Sequence, residues 1–296
     1  MVETTSAPVV SPPDAKLSQR ALGALGKLPP FSPILNKLLA SLAGEDVSFA
    51  KLGDLIEKDT VVAGNIIHLV NSALYARRAT ITSVRHALAL LGMDKVRNTL
   101  LGMSISRMWT QVKTPPTWSM ARFNRHSASV AVLSDQIASR VQADYPEGAF
   151  VGGLLHDLGR LLIALGLPDE FSRLMKLHEQ SDRSWTECER ELLGFTHAEL
   201  SAAALAAWKF PEQVQVAVRD HHQPPSFPAG GMVPLSAVID AADRYINSTG
   251  ESIVAAKLVA VEDAGAIAAL GIPEENVGRL LADFKAEHAA MAAFFK

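Results

Sequence analysis

A single cysteine, Cys188, is present in the 296 residues, so no disulfide can form within the chain and its composition fits a reducing compartment. Aromatic side chains make up only 6% of the sequence, and the alternation of apolar and polar residues that marks half-buried strands is nearly absent. Sheet architectures are therefore set aside. The opening residues, MVETTSAPVVSPPDAKLS, have neither a basic start nor an apolar core of about 7–15 residues, so they do not read as a secretory leader. The most apolar run, Phe150 to Leu167, holds His156, Asp157 and Arg160, which argues for a buried helix over a membrane span. A basic surplus is missing too. With 28 Lys and Arg against 31 Asp and Glu the net charge is −3, which argues against general nucleic-acid binding and leaves Arg107, Arg122 and Arg125 as the local basic candidates. A cytoplasmic protein without a membrane anchor is expected.

What is present is helical spacing. Hydrophobic residues are 48% of the chain, enough for a large core or two domains. Residues 1–18, rich in Pro, Ser and Thr, predict a tail without regular structure. Leu28-Pro29-Pro30 breaks a first short helix, and Ile34, Leu35, Leu38, Leu39 and Leu42 recur at helical intervals behind Pro33. Ser48 is a candidate cap for the next helix, which breaks near Asp59-Thr60, and a further helix is expected over Val62–Leu74. Gly92 reads as a C-cap and Asp94 as the cap of the helix after it. Thr114-Pro115-Pro116-Thr117 is the clearest internal break. Beyond it, helices are expected near 119–142, 148–165, 168–181, 184–193, 197–208, 211–222 and 233–247, then two Ala-rich helices parted at Gly271-Ile272-Pro273. The expected fold is all-α and two-lobed: a first helical lobe over 19–116, of which residues 20–113 look able to bury their own stripes, a second over 117–247, and a C-terminal helical extension over 248–296. Trp109 and Trp118, flanking the break, are expected to pack between the lobes.

Chemistry concentrates in the second lobe. His126 sits in a helix striped by Val130, Leu133 and Ile137, and His156-Asp157 interrupts the apolar run GGLLHDLGRLLIA. Burying such groups unpartnered costs roughly 2–7 kcal/mol each, and a metal ion would satisfy both, imidazole with carboxylate suiting Fe, Mn, Zn or Ni. Thr196-His197-Ala198-Glu199 reads as a capping box that fixes His197 in a first helical turn. His221-His222 closes the helix after Phe210-Pro211. Asp240 and Asp243 lie three residues apart, on one helix face, and spacing does not choose between them. His68, His86, His178 and His288 are read as core histidines, and Cys188 as an inert, half-buried residue.

The order His126, His156-Asp157, His197, His221-His222, Asp243 resembles the HD superfamily of metal-dependent phosphohydrolases. The segment LLGFTHAELSAAALAAWKFPEQVQVAVRDHHQPP, with LPPFSPILNKLL, KLGDLIEKDTVVAGNIIHLVNSALYA and ITSVRHALALLGMDKVRNTLL before it, is similar to the HDOD branch. The resemblance implies one or two divalent ions (Fe, Mn, Ni or Zn) held by His126, His156, Asp157 and Asp243, with His197, His221 and His222 completing a second site. In the superfamily such ions activate water against a phosphate ester, and Asp157 and Arg160 would be the catalytic positions. Ala242-Asp243-Arg244-Tyr245 resembles the final motif better than the surroundings of Asp240. Three departures bear on activity. Arg160 stands where the HD-GYP branch has lysine, no GYP tract follows His222, and Arg122 occupies a position that some HD-GYP proteins fill with glutamate. HDOD proteins are associated with bacterial signal transduction. The resemblance thus implies a regulator acting on a protein partner through the first lobe, its metal site weakly active or inactive. The alternative is a phosphohydrolase or phosphodiesterase acting on a nucleotide or cyclic dinucleotide.

Overall fold

Helical periodicity in the sequence turns into helices throughout. The computed structural model describes residues 15–42, 49–75, 80–224, 227, 231–253 and 262–291, and among these the only strand-like pairing is an isolated bridge between Ala143 and Val233. The expected all-α architecture is what the chain forms. The first lobe contains α1 (Ala15–Gly23), α2 (Pro33–Leu42), α3 (Phe49–Glu57), α4 (Thr60–Val70), α5 (Val84–Leu91) and α6 (Met93–Trp109). The second contains α7 (Met120–Ala138), α8 (Ala149–Leu155), α9 (Leu158–Gly166), α10 (Pro168–Glu179), α11 (Trp185–Leu193), α12 (His197–Ala207), α13 (Glu212–Asp220) and α14 (Leu235–Ser248). Two further helices follow, α15 (Gly265–Ala268) and α16 (Glu274–Met291).

Several local expectations shift. Helix α1 begins inside the stretch read as a tail, and although it belongs to the first lobe by sequence it packs on α9 and α12. Gly166 makes that approach close, since a Cβ there would stand 2.8 Å from Ala21 Cα. Ser48 lies outside the described residues. Asp59 caps α4 by accepting from the N–H groups of Val61 and Val62, and the helix ends at Val70, with Asn71 turning its side chain to bond Ile81 in both directions. Gly92 terminates α5 as expected, but it also begins α6, where no side chain caps; Asp94 instead pairs with Arg97 at 3.1 Å. The break at Gly271 is present, with φ +84. His68 and His86 are exposed on the outer faces of α4 and α5 and are not core residues.

One hydrophobic core runs through both lobes, from Ala21 to Met291. Trp109 packs edge-on and Trp118 at a tilt against Phe123 of α7, with ring centroids 5.8 and 5.3 Å away, and Trp118 also meets Phe171. The stretch Pro146–Gly166 is long and apolar enough to cross a membrane by length and composition, but 94% of its apolar 18-residue window is buried inside the fold. That burial places α8 and α9 at the centre of the second lobe, against α7, α12 and α13.

Candidate metal centre

Two glycines bring the site together. At Gly153 a Cβ would stand 2.9 Å from Ala131 Cα and 2.9 Å from Val130 O, so only glycine lets α8 lie directly on α7 and present His156 to His126. At Gly159 a Cβ would stand 2.1 Å from the carbonyl oxygen of His197, so α12 abuts α9 there and brings His197 alongside Asp157. The sequence suggested one continuous helix over 148–165. It breaks instead at His156-Asp157, where Asp157 takes φ −99 and ψ 12. Ser201 absorbs the break: its hydroxyl accepts from Gly159 N–H (2.7 Å) and donates to His156 C=O (2.8 Å). Asp157 makes no side-chain cap to α9; its carboxylate turns to the histidines. The Thr196–Glu199 capping box forms and holds His197 at the first position of α12.

The seven residues singled out in the sequence converge. His126 Nε2 lies 3.4 Å from His156 Nε2 and 3.1 Å from Asp243 Oδ1. Asp157 stands between two groups: its Oδ2 is 3.4 Å from His156 Nε2 and 3.6 Å from His126 Nε2, and its Oδ1 is 3.0 Å from His197 Nε2. His222 Nε2 is 3.1 Å from His197 Nε2, and His221 completes that group. Donor atoms of His126, His156 and Asp157 lie within 4.8 Å of one another, as do those of His197, His221 and His222. Six of the seven are at most 3% exposed; only His222 is half-buried.

Hydrogen bonding on the far side of each ring shows what the centre needs. His126 Nδ1 faces the carbonyl of Glu251 (2.8 Å), His156 Nδ1 that of Gly153 (2.8 Å) and His221 Nδ1 that of Val218 (2.6 Å). A carbonyl only accepts, so each Nδ1 carries the proton and each Nε2 of the neutral ring turns a lone pair inward. His197 is held the same way by the Glu189 carboxylate, which accepts from Nδ1 at 2.7 Å and from the backbone N–H at 2.9 Å. With the rings neutral, the inward atoms are acceptors facing acceptors, an arrangement that only positive charge, a proton or a cation, can relieve, and His221 Nε2 has no hydrogen-bond partner. A cation fits this arrangement. Two nitrogens about 2.1 Å from a tetrahedral ion stand about 3.4 Å apart, which is the separation of the His126 and His156 Nε2 atoms.

Electrostatics carry the same demand for positive charge. Burial pushes the His156 pKa down, but Asp157 and Asp243 beside it more than reverse this and raise it to about 10. His197 is likewise raised, burial being outweighed by Glu189 and Asp157. Burial would raise the pKa values of Asp157 and Asp243, yet Arg160, His156 and His197 around the first and His126 and His156 around the second hold both well below the usual carboxylate range. His221 is driven low by burial and its histidine neighbours, and His222 falls to about 3 through burial and His197.

Asp240 lies outside the cluster, paired with Arg244 at 3.7 Å and raised to about 6 by burial. Arg160 is no free phosphate ligand: its Nε lies 3.1 Å from Asp157 Oδ1 and its guanidinium 5.7 Å from the Trp185 ring centre. Cys188 is fully buried rather than half-buried, one residue before Glu189 on α11. Glu189 and Glu251 went unnoticed in the sequence. Glu189 shares a buried stripe with Trp185, Cys188 and Leu193, a signal that a carboxylate was going inside; nothing local marks Glu251, whose carbonyl is what holds His126. A cavity of about 350 Å³ reaches His222 from the surface, lined by Arg190, Glu199, Arg219 and Asp220 among others. Both arginines there are already paired, Arg190 with Glu199 at 2.9 Å and Arg219 with Asp220 at 2.8 Å.

A helical fold that gathers His, His-Asp, His, His-His and Asp into one buried cluster is of the HD type. The HDOD domain model matches residues 28–224, and the chain belongs to the HDOD domain family. An uncharacterized protein of Treponema pallidum is 22% identical over 215 residues, 72% of this chain but only 41% of that relative's length. Among solved structures, an HDOD domain protein of unknown function from Geobacter sulfurreducens superposes with a TM-score of 0.73 at 23% identity, covering 95% of this chain and 98% of the other. A Shewanella amazonensis protein provisionally named a phosphohydrolase gives 0.70 at 21%, covering 94% and 98%. At these identities the likeness is one of fold.

Proposed function

We propose that the protein is a regulatory HDOD protein: its second lobe holds a divalent cation in the His/Asp cluster, hydrolyses little or nothing, and supports a first lobe that meets a protein partner. His126, His156, Asp157 and Asp243 would hold one ion, and His197, His221 and His222 with Asp157 a second. A divalent ion bound there supplies Lewis acidity toward a phosphoryl oxygen and acidifies water. The chain's own residues enclose it: the Nδ1 bonds orient the rings, and Asp157 ties the two groups together.

The observation that carries the low-activity reading is burial. Six of the seven cluster residues are at most 3% exposed, and a phosphate ester needs both access and positive charge around the transferring group. Arg160 is committed to Asp157, and the arginines at the mouth are committed to their own carboxylates. Support for a partner surface on the first lobe comes from a cavity of about 620 Å³ between α2, α4 and α6, lined by Phe31, Ile34, Val62, Met103 and Arg107, and bordered by Val61, which is 53% exposed. The second reading, a phosphohydrolase or phosphodiesterase, draws on one feature: Asp157 stands between two histidine groups, as a bridge between two ions would. Steady-state turnover with Mn, Fe or Ni on nucleotides and cyclic dinucleotides separates the two. Rates far below ~1 s⁻¹ are expected; a metal-dependent rate at or above that, abolished by His156→Ala, overturns the regulatory reading.

A further inference from the structure

The family match stops at residue 224, yet the chain beyond it returns to the cluster. Glu251 makes two contacts with α7. Its backbone carbonyl accepts from His126 Nδ1 at 2.8 Å, fixing the ring with Nε2 inward. Its carboxylate accepts from the Ser129 hydroxyl at 2.7 Å, one turn along the same helix from His126. Ser129 Oγ also lies 2.9 Å from Nε2 of His288, on α16. A hydroxyl has one proton, and an ionised carboxylate can only accept it, so His288 Nε2–H donates to Ser129. The hydrogen bonds thus run from His288 through Ser129 to Glu251, whose carbonyl grips the ligand ring.

Helix α16 is itself anchored to both lobes. Gln136 of α7 donates to Glu287 at 2.5 Å, Arg140 pairs with Asp283 at 2.6 Å, and Lys95 of α6 forms an ion pair with Glu287. Glu287 is 5% exposed and Ser129 fully buried, so the bonds to these two residues lie in the interior, while the Arg140–Asp283 pair lies nearer the surface.

We propose that Glu251, Ser129 and His288 form a strap by which the C-terminal helix positions the ligand His126 and so sets how tightly the cluster holds a cation. Glu251 is the positioning residue, and it acts through its carbonyl. Freed from Ser129, its side chain no longer fixes where that carbonyl sits, and His126 loses the bond that orients it. Because α16 also grips α6 through Glu287 and Lys95, the strap links the first lobe to the ligand ring, and such a linkage works equally in both directions.

The inference rests on the metal reading above, and the test keeps the two apart. The full chain is titrated with Co²⁺, recording both affinity and the visible absorption of the bound ion, which reports ligand geometry. Glu251→Ala is expected to weaken binding about ten- to hundredfold, the range for loss of an outer ligand support, and to change the spectrum. Glu251→Gln keeps an oxygen for the Ser129 hydroxyl and is expected to bind as the wild type does. If Glu251→Ala does not fold, Ser129→Ala, which removes only the hydroxyl, carries the same expectation. Wild-type affinity and spectrum in Glu251→Ala and Ser129→Ala would overturn the strap and leave the metal reading standing. A wild-type chain that binds no Co²⁺ would overturn both.

Discussion

Asp157 is the residue on which the cluster turns, because its two oxygens face different histidine groups. Asp157→Ala removes the carboxylate from both, and loss of all stoichiometric metal is expected, measured by elemental analysis of the purified variant. Glu189 acts one step further out. It holds His197 by ring and backbone at once, and such supports of a ligand histidine commonly contribute ten- to hundredfold in affinity. Glu189→Ala is therefore expected to weaken Mn²⁺ binding by about one to two orders of magnitude, read by calorimetric titration, with the helical circular dichroism retained. Undiminished affinity would mean that packing of α11 alone orients His197.

Among the elements, α9 and α12 show most directly how the fold makes the site. Their contact at Gly159 leaves no room for a methyl group. Gly159→Ala must push α12 outward and carry His197 with it, so a loss of stability of about 1–3 kcal/mol or more is expected together with weakened metal binding. Urea unfolding and a Co²⁺ titration check the two parts. Most helices were legible in the sequence, because their apolar stripes, the Thr196 capping box and the Gly271 break are local signals. His126 and His156-Asp157 stood out as ionisable side chains on apolar helices, whereas the full set of seven, and Asp243 over Asp240, came from the resemblance to the HD superfamily. The helix break at His156-Asp157 was not legible: it depends on Ser201, 45 residues away from His156, satisfying the freed backbone groups. Nor could Asp94 be separated from Gly92 as the start of α6, since either residue type begins a helix. His68 and His86 were misassigned to the core because helical periodicity places a histidine on a face without saying whether that face is covered.

Across the whole molecule, two lobes divided by sequence share one core. Helix α1 packs on α9 and α12, Trp109 and Trp118 meet on Phe123, and α16 is tied to both α6 and α7. From this shared core, a single cooperative unit is expected, against the alternative that the first lobe buries its own stripes and folds independently. One thermal transition is expected, shifted upward by metal, since a ligand at a hundred times its Kd adds about 2.7 kcal/mol to the native state. Separate transitions for the two lobes would contradict this. Behind every one of these expectations is the claim that the inward-facing Nε2 atoms and carboxylates hold a divalent cation. The direct measurement is metal content by elemental analysis of the wild-type chain purified without chelator, alongside Asp157→Ala prepared identically. One or two equivalents of Fe, Mn, Ni or Zn in the wild type and none in the variant is the expected result; a well-folded wild type carrying no stoichiometric metal and taking up none on reconstitution would contradict the account.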